Sequence, residues 1–481
     1  MMRKIVPILC LLLGLISCQQ DMITKDFALG LTFSQDTVLF DTVFTAEGSS
    51  THRVMVYNKN KNSLNISQVS MQNGQYFHVN LDGENSLNRM QNIVVRGGDS
   101  LFLFIRANIN PQDSNSPVFI EDNIIFSLND HLQTIHLQAF GQNVERMRNP
   151  AGVIVKEDLT LTNRIPYVIY DTLIVKGTLT IQAGATLYMH AGATLYAYGD
   201  VIAHGTKEAP ITIRGDRTDR LFDSVPYRVA SGQWNGIYLL HTKDTPCPKY
   251  EMNHVEILSG TVGLYAQSES INPCPVLTFT NGRIHNHSVY GMILQNMDAI
   301  VVNSEISNCA SYCVYLSGGK QQFIHTTIAS YFGYPYTNIN IHNQVSRDNV
   351  AAVYINNINK QTASTEASFK NCIITGARTS NLLVATPLPQ HYEGEFVGNY
   401  LRADTLSAAF AHTNTYATES DTVFRNIYYR INEYHYYDFH LDSVSPARGI
   451  GDSITALSYP YDRLGNRRKP HPDAGCYEFV E

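Results

Sequence analysis

The sequence predicts an all-β protein, a β-sandwich followed by a parallel β-helix, on three observations. Residues 30 to 143 alternate apolar and polar side chains in short runs broken by turn residues, the period-two signature of half-buried strands. From about residue 150 the texture changes to short strands with frequent Gly, and phrases begin to recur. Past His254 the recurrence settles near 22 residues, too short for a helical solenoid repeat and long enough for a coil of two or three short strands.

The first element is a leader. Arg3 and Lys4 precede an apolar run of twelve residues, Ile5 to Ile16. That run is too short to span about 30 Å of hydrocarbon as a helix, so it reads as a signal peptide over residues 1–17. It ends in Leu15-Ile16-Ser17-Cys18, which looks like a bacterial lipobox, where Cys18 takes a diacylglyceryl group. Residues 18–29 then form a lipidated polar tether, and the expected location is the cell envelope, on the outer membrane.

The second element is the sandwich, residues 30–143. Alternation is clear in Thr37–Phe44, Arg53–Tyr57, Ser100–Ile105, Asn123–Phe126 and Thr134–Ala139, separated by turn clusters such as Arg96-Gly97-Gly98-Asp99. About seven short antiparallel strands in this span suggest an immunoglobulin-like sandwich. His52, His78 and His136 alternate with strand positions and read as solvated. Arg146 to Pro150 serves as a linker.

The third element, residues 150–481, is the solenoid. His254-Val-Glu-Ile257, Asn281-Gly-Arg-Ile284, Asn303-Ser-Glu-Ile306, His325-Thr-Thr-Ile328 and Asn371-Cys-Ile-Ile374 align with spacings of 27, 22, 22 and 46 residues. Downstream, Gly263-Leu-Tyr-Ala, Gly291-Met-Ile-Leu and Cys313-Val-Tyr-Leu match as well. In a parallel β-helix each coil lies on the last at the inter-strand distance of about 4.8 Å, so the five Ile residues stack as an interior ladder. The Asn and His positions form a polar ladder at a corner, where Asn tolerates left-handed backbone and satisfies turn groups. Roughly ten coils are expected.

Here a family resemblance appears. Ser231-Gly232-Gln233-Trp234-Asn235-Gly236-Ile237-Tyr238-Leu239 is similar to the Gly-Gln-Trp-x-Gly-Ile phrase of right-handed parallel β-helix lipoproteins of Bacteroidota. Asp462 to Arg468 and Pro472-Asp473-Ala474-Gly475-Cys476-Tyr477-Glu478-Phe479 resemble the closing motif of secreted β-helices, with Cys476 where the family usually has Ala. The N-terminal region resembles the immunoglobulin-like modules of many such lipoproteins. The resemblance implies a fold and a location, with no activity assigned to most members. It also implies a C-terminal cap in which Asp and Arg pair to close the last coil.

The chemistry is sparser. Net charge is −7 and no Lys/Arg block stands out, which argues against a nucleic-acid partner. Cys309 and Cys313 lack a matched His pair, so no metal site is assigned, and no cofactor is implied. Cys247 and Cys274 both precede Pro and lie 27 residues apart, the offset of His254 to Asn281, which predicts a disulfide between successive coils. No catalytic residue is assigned: the chain has no Asp-Asp pair, no Gly-His-Gly and no Arg-x-Pro-x-x-Arg. Glu256 and Glu305 fall on coils two apart, about 10 Å along the axis, a loose match to a glycosidase acid pair, and read as solvated outward residues. The mixed-charge loop Arg214 to Arg220 reads as surface.

Two aromatic clusters are the ligand-contact candidates, Tyr331, Tyr334 and Tyr336 in an insertion and Tyr434, Tyr436 and Tyr437 near the C-terminus. The expected function is a lipid-anchored, non-enzymatic module that binds a glycan or a surface protein. The alternative is a β-helix polysaccharide lyase or glycoside hydrolase with an unrecognised site.

Overall fold

The structure, a computed structural model, describes residues 22–26, 28–85, 90–128, 130–222, 225–270, 274, 276–332, 351–356, 365–385, 394–403, 413–427 and 437–481. The chain divides into two compact units between Asn143 and Val144. Both are built of strands. Among the described residues the helical elements are one 3₁₀ turn, Tyr227–Val229, and one six-residue α-helix, Ser453–Ser458, capped by the Asp452 side chain on the Thr455 amide.

The N-terminal unit holds two sheets. The smaller runs Thr32–Phe33, His52–Tyr57, Ser100–Ala107, Phe77–Leu81, all antiparallel. The larger runs Thr37–Phe44, His131–Gln142, Val118–Leu128, Leu64–Met71, Gln91–Val95. Alternate residues of both sheets, among them Val54, Leu103, Ile66, Phe126 and Leu137, bury one shared core. The expectation of a purely antiparallel arrangement needs one correction. Thr37–Phe44 pairs parallel to His131–Gln142, with a register shift between Leu39 and Thr42 where Asp41 takes a φ of 50°. The chain therefore enters and leaves the larger sheet in the same direction.

The second unit is a stack of coils, each contributing one strand to each of three parallel sheets, an arrangement consistent with a parallel β-helix. Nine complete coils occur among the described residues. They begin at the sheet-one strands Glu145–Met147, Tyr167–Ile169, Thr186–Met189, Ile211–Gly215, Val255–Leu258, Arg283–His287, Glu305–Cys309, Thr327–Ser330 and Ile373–Gly376 and are numbered 1 to 9 in that order. Sheet one gains two further strands, Tyr400–Leu401 and Thr415–Tyr416.

Stacking in register forces like residues onto like positions. Ile257, Ile284, Ile306, Ile328 and Ile374 pair rung by rung on sheet one, and all are fully buried. On sheet three Phe323, Phe369 and Phe396 stack at 4.9 and 5.2 Å between ring centroids. The corner before sheet one is made by His254, Asn281, Asn303, His325 and Asn371, each with φ between 47° and 55°. A residue at that corner must accept left-handed backbone, which Asn and His do more readily than branched residues.

The phrase around Trp234 has a local cause. The indole is buried and donates to the Leu258 carbonyl at 2.9 Å, fixing coil 4 on coil 5. Gly236 passes so close to the next coil that a Cβ would lie 2.6 Å from the Val262 carbonyl oxygen.

The C-terminal segment corrects the expected cap. Instead of closing the last coil, residues 452–478 run along the flank of the solenoid as a strap. The Arg463 guanidinium reaches Glu256 on coil 5, Tyr477 reaches Glu305 on coil 7, and the Cys476 amide donates to Thr327 on coil 8. Asn371, at the corner before coil 9, donates to the Asp452 carbonyl and accepts from the Asp452 amide. The Asp/Arg residues of the closing motif hold the strap itself: Asp462 accepts from the amides of Leu464, Asn466 and Glu478, and Arg468 bridges Glu478 to Asn303.

Candidate functional site on the outer face of sheet two

A strand sends successive side chains to opposite faces, so every second residue of sheet two points away from the core. Coils 3 to 8 of that sheet contain Thr194-Leu-Tyr196-Ala, Gly236-Ile-Tyr238-Leu, Gly263-Leu-Tyr265-Ala, Gly291-Met-Ile293-Leu, Cys313-Val-Tyr315-Leu and Ala352-Val-Tyr354-Ile. The residue before each aromatic or Ile293 is buried, and the aromatic itself is half-buried on the outside.

Registration converts this phrase into a column. Ile154, Ile174, Tyr196, Tyr238, Tyr265, Ile293, Tyr315, Tyr354 and Leu383 pair consecutively along all nine coils. Eight steps of about 4.8 Å make it roughly 38 Å long. Ring centroids lie 5.0 Å apart for Tyr196 and Tyr238, 5.4 Å for Tyr238 and Tyr265, and 5.5 Å for Tyr315 and Tyr354. Tyr290 on coil 6 and Tyr312 on coil 7 add rings beside it, 6.1 Å apart, with Tyr312 stacking on Tyr354 at 4.9 Å. These distances suit aromatic pairs, each adding about 0.5 to 1.5 kcal/mol beyond area burial.

The column has a margin two residues further along each strand, where Leu240, Gln267, Gln295 and Ser317 pair in register, polar from Gln267 onward. Tyr265 donates to Gln267 at 2.7 Å, and Asn356 donates to the Tyr315 hydroxyl at 3.0 Å. Burial, reinforced by neighbouring phenols, raises Tyr238, Tyr265 and Tyr312 above the ordinary phenol value.

At its coil-1 end the column runs into a groove of 810 Å³. Ile154 and Ile174 line its floor, and Lys176, Tyr198, Asp158 and Asp200 its sides. The loop carrying Cys247 and Pro248 forms one wall. Cys247 and Cys274 precede the paired positions Lys249 and Val276 by two residues and are joined as a disulfide, with Cα atoms 5.6 Å apart.

The outer face of sheet one presents the other chemical cluster, and the strap covers it. Glu256, Arg283 and Glu305 are consecutive rungs. Glu305 is 2% exposed, which corrects its reading as a solvated residue. Its carboxylate takes Arg283 at 2.9 Å, Ser307 at 2.6 Å and Tyr477 at 2.5 Å. Burial opposes its charge most strongly, but the Arg283 guanidinium, His285, Arg463 and the Ser307 hydroxyl together outweigh it, so its pKa falls below the ordinary carboxylate value.

Ser307, His285 and Glu305 have the residue types of a nucleophilic triad but the wrong proton order. Ser307 donates to Glu305 while the His285 Nδ1 lies 2.7 Å from its oxygen. Burial, then the Arg283 charge, holds His285 well below an ordinary imidazole, and Tyr437 and Phe439 pack against its ring. A triad needs the serine proton handed to histidine. This cluster is a clamp. Among the described residues no group of three His, Cys, Asp or Glu side chains is arranged to hold a metal.

The candidates read from sequence fare unevenly. Tyr331 is 5% exposed, packed in a core with Phe424 and Phe439, which removes it as a ligand contact. Tyr437 stacks on Phe439 and donates to the Tyr331 carbonyl, so it too serves packing. Tyr334, Tyr336, Tyr434, Tyr436 and Cys18 lie outside the described residues. In the Arg214 loop, Arg217 pairs with Asp219 and lies 4.0 Å over the Tyr227 ring. The column itself was missed, although Tyr265, Ile293 and Tyr315 occupy the same place in three phrases already aligned.

No family model matches the chain, and no curated protein matches it. Among solved structures it is similar to a family 123 glycoside hydrolase from Clostridium perfringens, at 9% identity and a TM-score of 0.19, over 26% of this chain and 30% of that one. It is similar to the VesB protease of Vibrio cholerae at 10% identity and 0.17, over 23% and 31%. Dex49A from Penicillium minioluteum aligns at 9% and 0.15 over 78% of this chain and 82% of that one. The chain spans about a third of the length of the hydrolase and the protease. Likeness at these scores carries no argument about activity.

Proposed function

We propose that this chain is a lipid-anchored protein of the bacterial cell envelope that binds a glycan or surface-protein ligand on the outer face of sheet two, without catalysis. In this reading the N-terminal unit is an immunoglobulin-like spacer and the second unit a right-handed β-helix. Two sheets of four and five strands around one core support the first, and the Gly232-to-Ile237 phrase supports the second.

The observation that carries the reading is the nine-rung column. Isolated exposed apolar residues are ordinary, but a continuous stripe of aliphatic and aromatic side chains, five of its nine rungs tyrosine, is the kind of surface that marks an interaction site. It stands on rigid, stacked strands, so little ordering entropy opposes binding. The acids of sheet one, by contrast, are engaged with Arg283, Arg463 and Tyr477 under the strap.

The test is a glycan and envelope-protein array probed with mature protein and with a Tyr238→Ala/Tyr265→Ala variant, alongside reducing-end and unsaturated-uronate assays. Binding lost in the variant with no product released supports the reading. Product release that disappears on replacing Asp158 or Asp200, the carboxylates of the open groove, would overturn it.

A further inference from the structure

We infer that the occupant of sheet two is a neutral, extended polysaccharide lying along the solenoid axis, with its sugar rings laid against the outer edges of successive rungs of the column. The inference rests on the reading that this face is the ligand site, and it names the ligand class.

Period is the first ground. The rungs repeat at the inter-strand spacing, about 4.8 Å, over nine coils in unbroken register. An extended pyranose chain repeats over a length of the same order, so one chain can meet many rungs with the same contact. A globular protein partner without a repeat of its own presents no such period.

Charge is the second ground. From coil 3 to coil 9 neither the column nor its margin, from Tyr198 through Leu240, Gln267, Gln295, Ser317 and Asn356 to Ala385, carries a charged side chain. Lys156 and Lys176, beside coils 1 and 2, are the exceptions, and Arg378 acts on the Tyr312 ring from just before the coil-9 strand. A polyuronate or sulfated glycan would lose its water along most of this face without gaining a counter-charge, whereas an uncharged polymer matches it.

Hydrogen bonding is the third. Gln267 and Gln295 stand beside the rings, and their amides both donate and accept, as sugar hydroxyls do. At the coil-1 end, the 810 Å³ groove lined by Ile154 and Ile174 also carries Thr178, Tyr198 and Thr242 together with Asp158, Asp200 and Lys176, groups that can hydrogen-bond the hydroxyls of a further stretch of the same chain.

The deciding experiment is calorimetric titration of the purified mature protein with xyloglucan, mixed-linkage β-glucan, galactomannan, polygalacturonate and a ladder of uncharged oligosaccharides of increasing length. An uncharged glycan should bind best, with affinity rising with length. Tyr238→Ala and Tyr315→Ala should each weaken binding by about two- to tenfold. Tyr238→Leu keeps the apolar rung and controls for folding, and should weaken binding with an unchanged unfolding midpoint. Tightest binding to polygalacturonate, affinity independent of length, or no uncharged glycan bound overturns the inference. If Tyr238→Ala and Tyr315→Ala abolish binding of a protein or an acidic glycan instead, this inference fails while the ligand face stands. If they change no binding at all, both fail.

Discussion

Tyr477 donates a 2.5 Å hydrogen bond to Glu305 across a sequence separation of 172 residues, in a fully buried site. The contact converts a stack of coils, each touching only its neighbours, into a closed object. A solenoid is quasi-one-dimensional and can fray from either end. The strap crosses coils 5 to 9 and ties them through Arg463 to Glu256, Arg468 to Asn303 and the Gly475 amide to the Asn371 carbonyl. Sheet one is thereby committed to stability, and among the described residues no such strap crosses the outer face of sheet two.

The strap should carry a large share of cooperativity. Tyr477→Phe leaves one oxygen of a buried carboxylate short of a donor, and the loss should be about 1.5 to 3 kcal/mol. Glu305→Ala strands Arg283 and should cost about 3 to 5 kcal/mol. Urea unfolding followed by a solenoid probe such as Trp234 fluorescence measures both. A Tyr477→Phe midpoint equal to wild type would show that the strap is not coupled to the coils.

Stability should fall between pH 6.5 and pH 4. His287 is buried at the corner after sheet one, where its ring lies 3.1 Å from the Gly260 amide and 3.1 Å from the Ile257 carbonyl. Burial lowers its pKa from 6.5 to about 4. The unfolded chain therefore takes up a proton that the folded chain refuses, so the stability is fully present above pH 6.5 and lost as pH falls toward 4. The shift corresponds to about 3 kcal/mol. His285 and His325, both held low by burial, act in the same direction. Glu305 has its own window, because a depressed carboxylate loses its contribution only below about pH 4.5. Unfolding midpoints at closely spaced pH values should show the first loss before the second, and His287→Gln should flatten the first. An equal slope in that variant would contradict the assignment.

What the sequence made legible follows from what stacking repeats. The Ile257-to-Ile374 ladder and the His254-to-Asn371 corner could be read because each coil imposes the same burial and the same left-handed backbone at the same position. The tyrosine column obeys the same register and lay in the same phrases. Local density of aromatic residues, as at Tyr331 and Tyr437, marks a packed core instead. The strap was illegible for a different reason. Nothing near Glu305 in sequence shows that Tyr477 will cover it, and an outward strand position normally means solvent. Buried charge pairs formed across such separations leave no periodic trace.

Anchoring is a separate matter of the leader. Cys18→Ser should abolish acylation while leaving the two folded units intact, since among the described residues the two cores run from Leu29 onward. Metabolic labelling with a fatty-acid probe, followed by detergent partition, tests it. Wild-type protein that takes no label, or that partitions to the aqueous phase as the variant does, would remove the lipid anchor from the proposed function.

The Cys247–Cys274 disulfide should affect binding and stability by different routes. It closes 27 residues, and on the chain-entropy account that is worth about 3 kcal/mol against the unfolded state. Coils 4 and 5 are already joined by the strand pair Lys249–Asn253 and Val276–Thr280, so the solenoid should stay folded when the bond is cut. The loop at Cys247 and Pro248 walls the groove, however, and freeing it should loosen that wall. The Cys247→Ser/Cys274→Ser variant is therefore expected to keep its far-ultraviolet dichroism, to unfold at lower denaturant, and to bind long oligosaccharides more weakly than wild type. Short oligosaccharides reach only part of the column and should lose less. An equal loss for short and long chains would mean that the bond supports the whole column, and no loss for either would mean that the groove takes no part in binding.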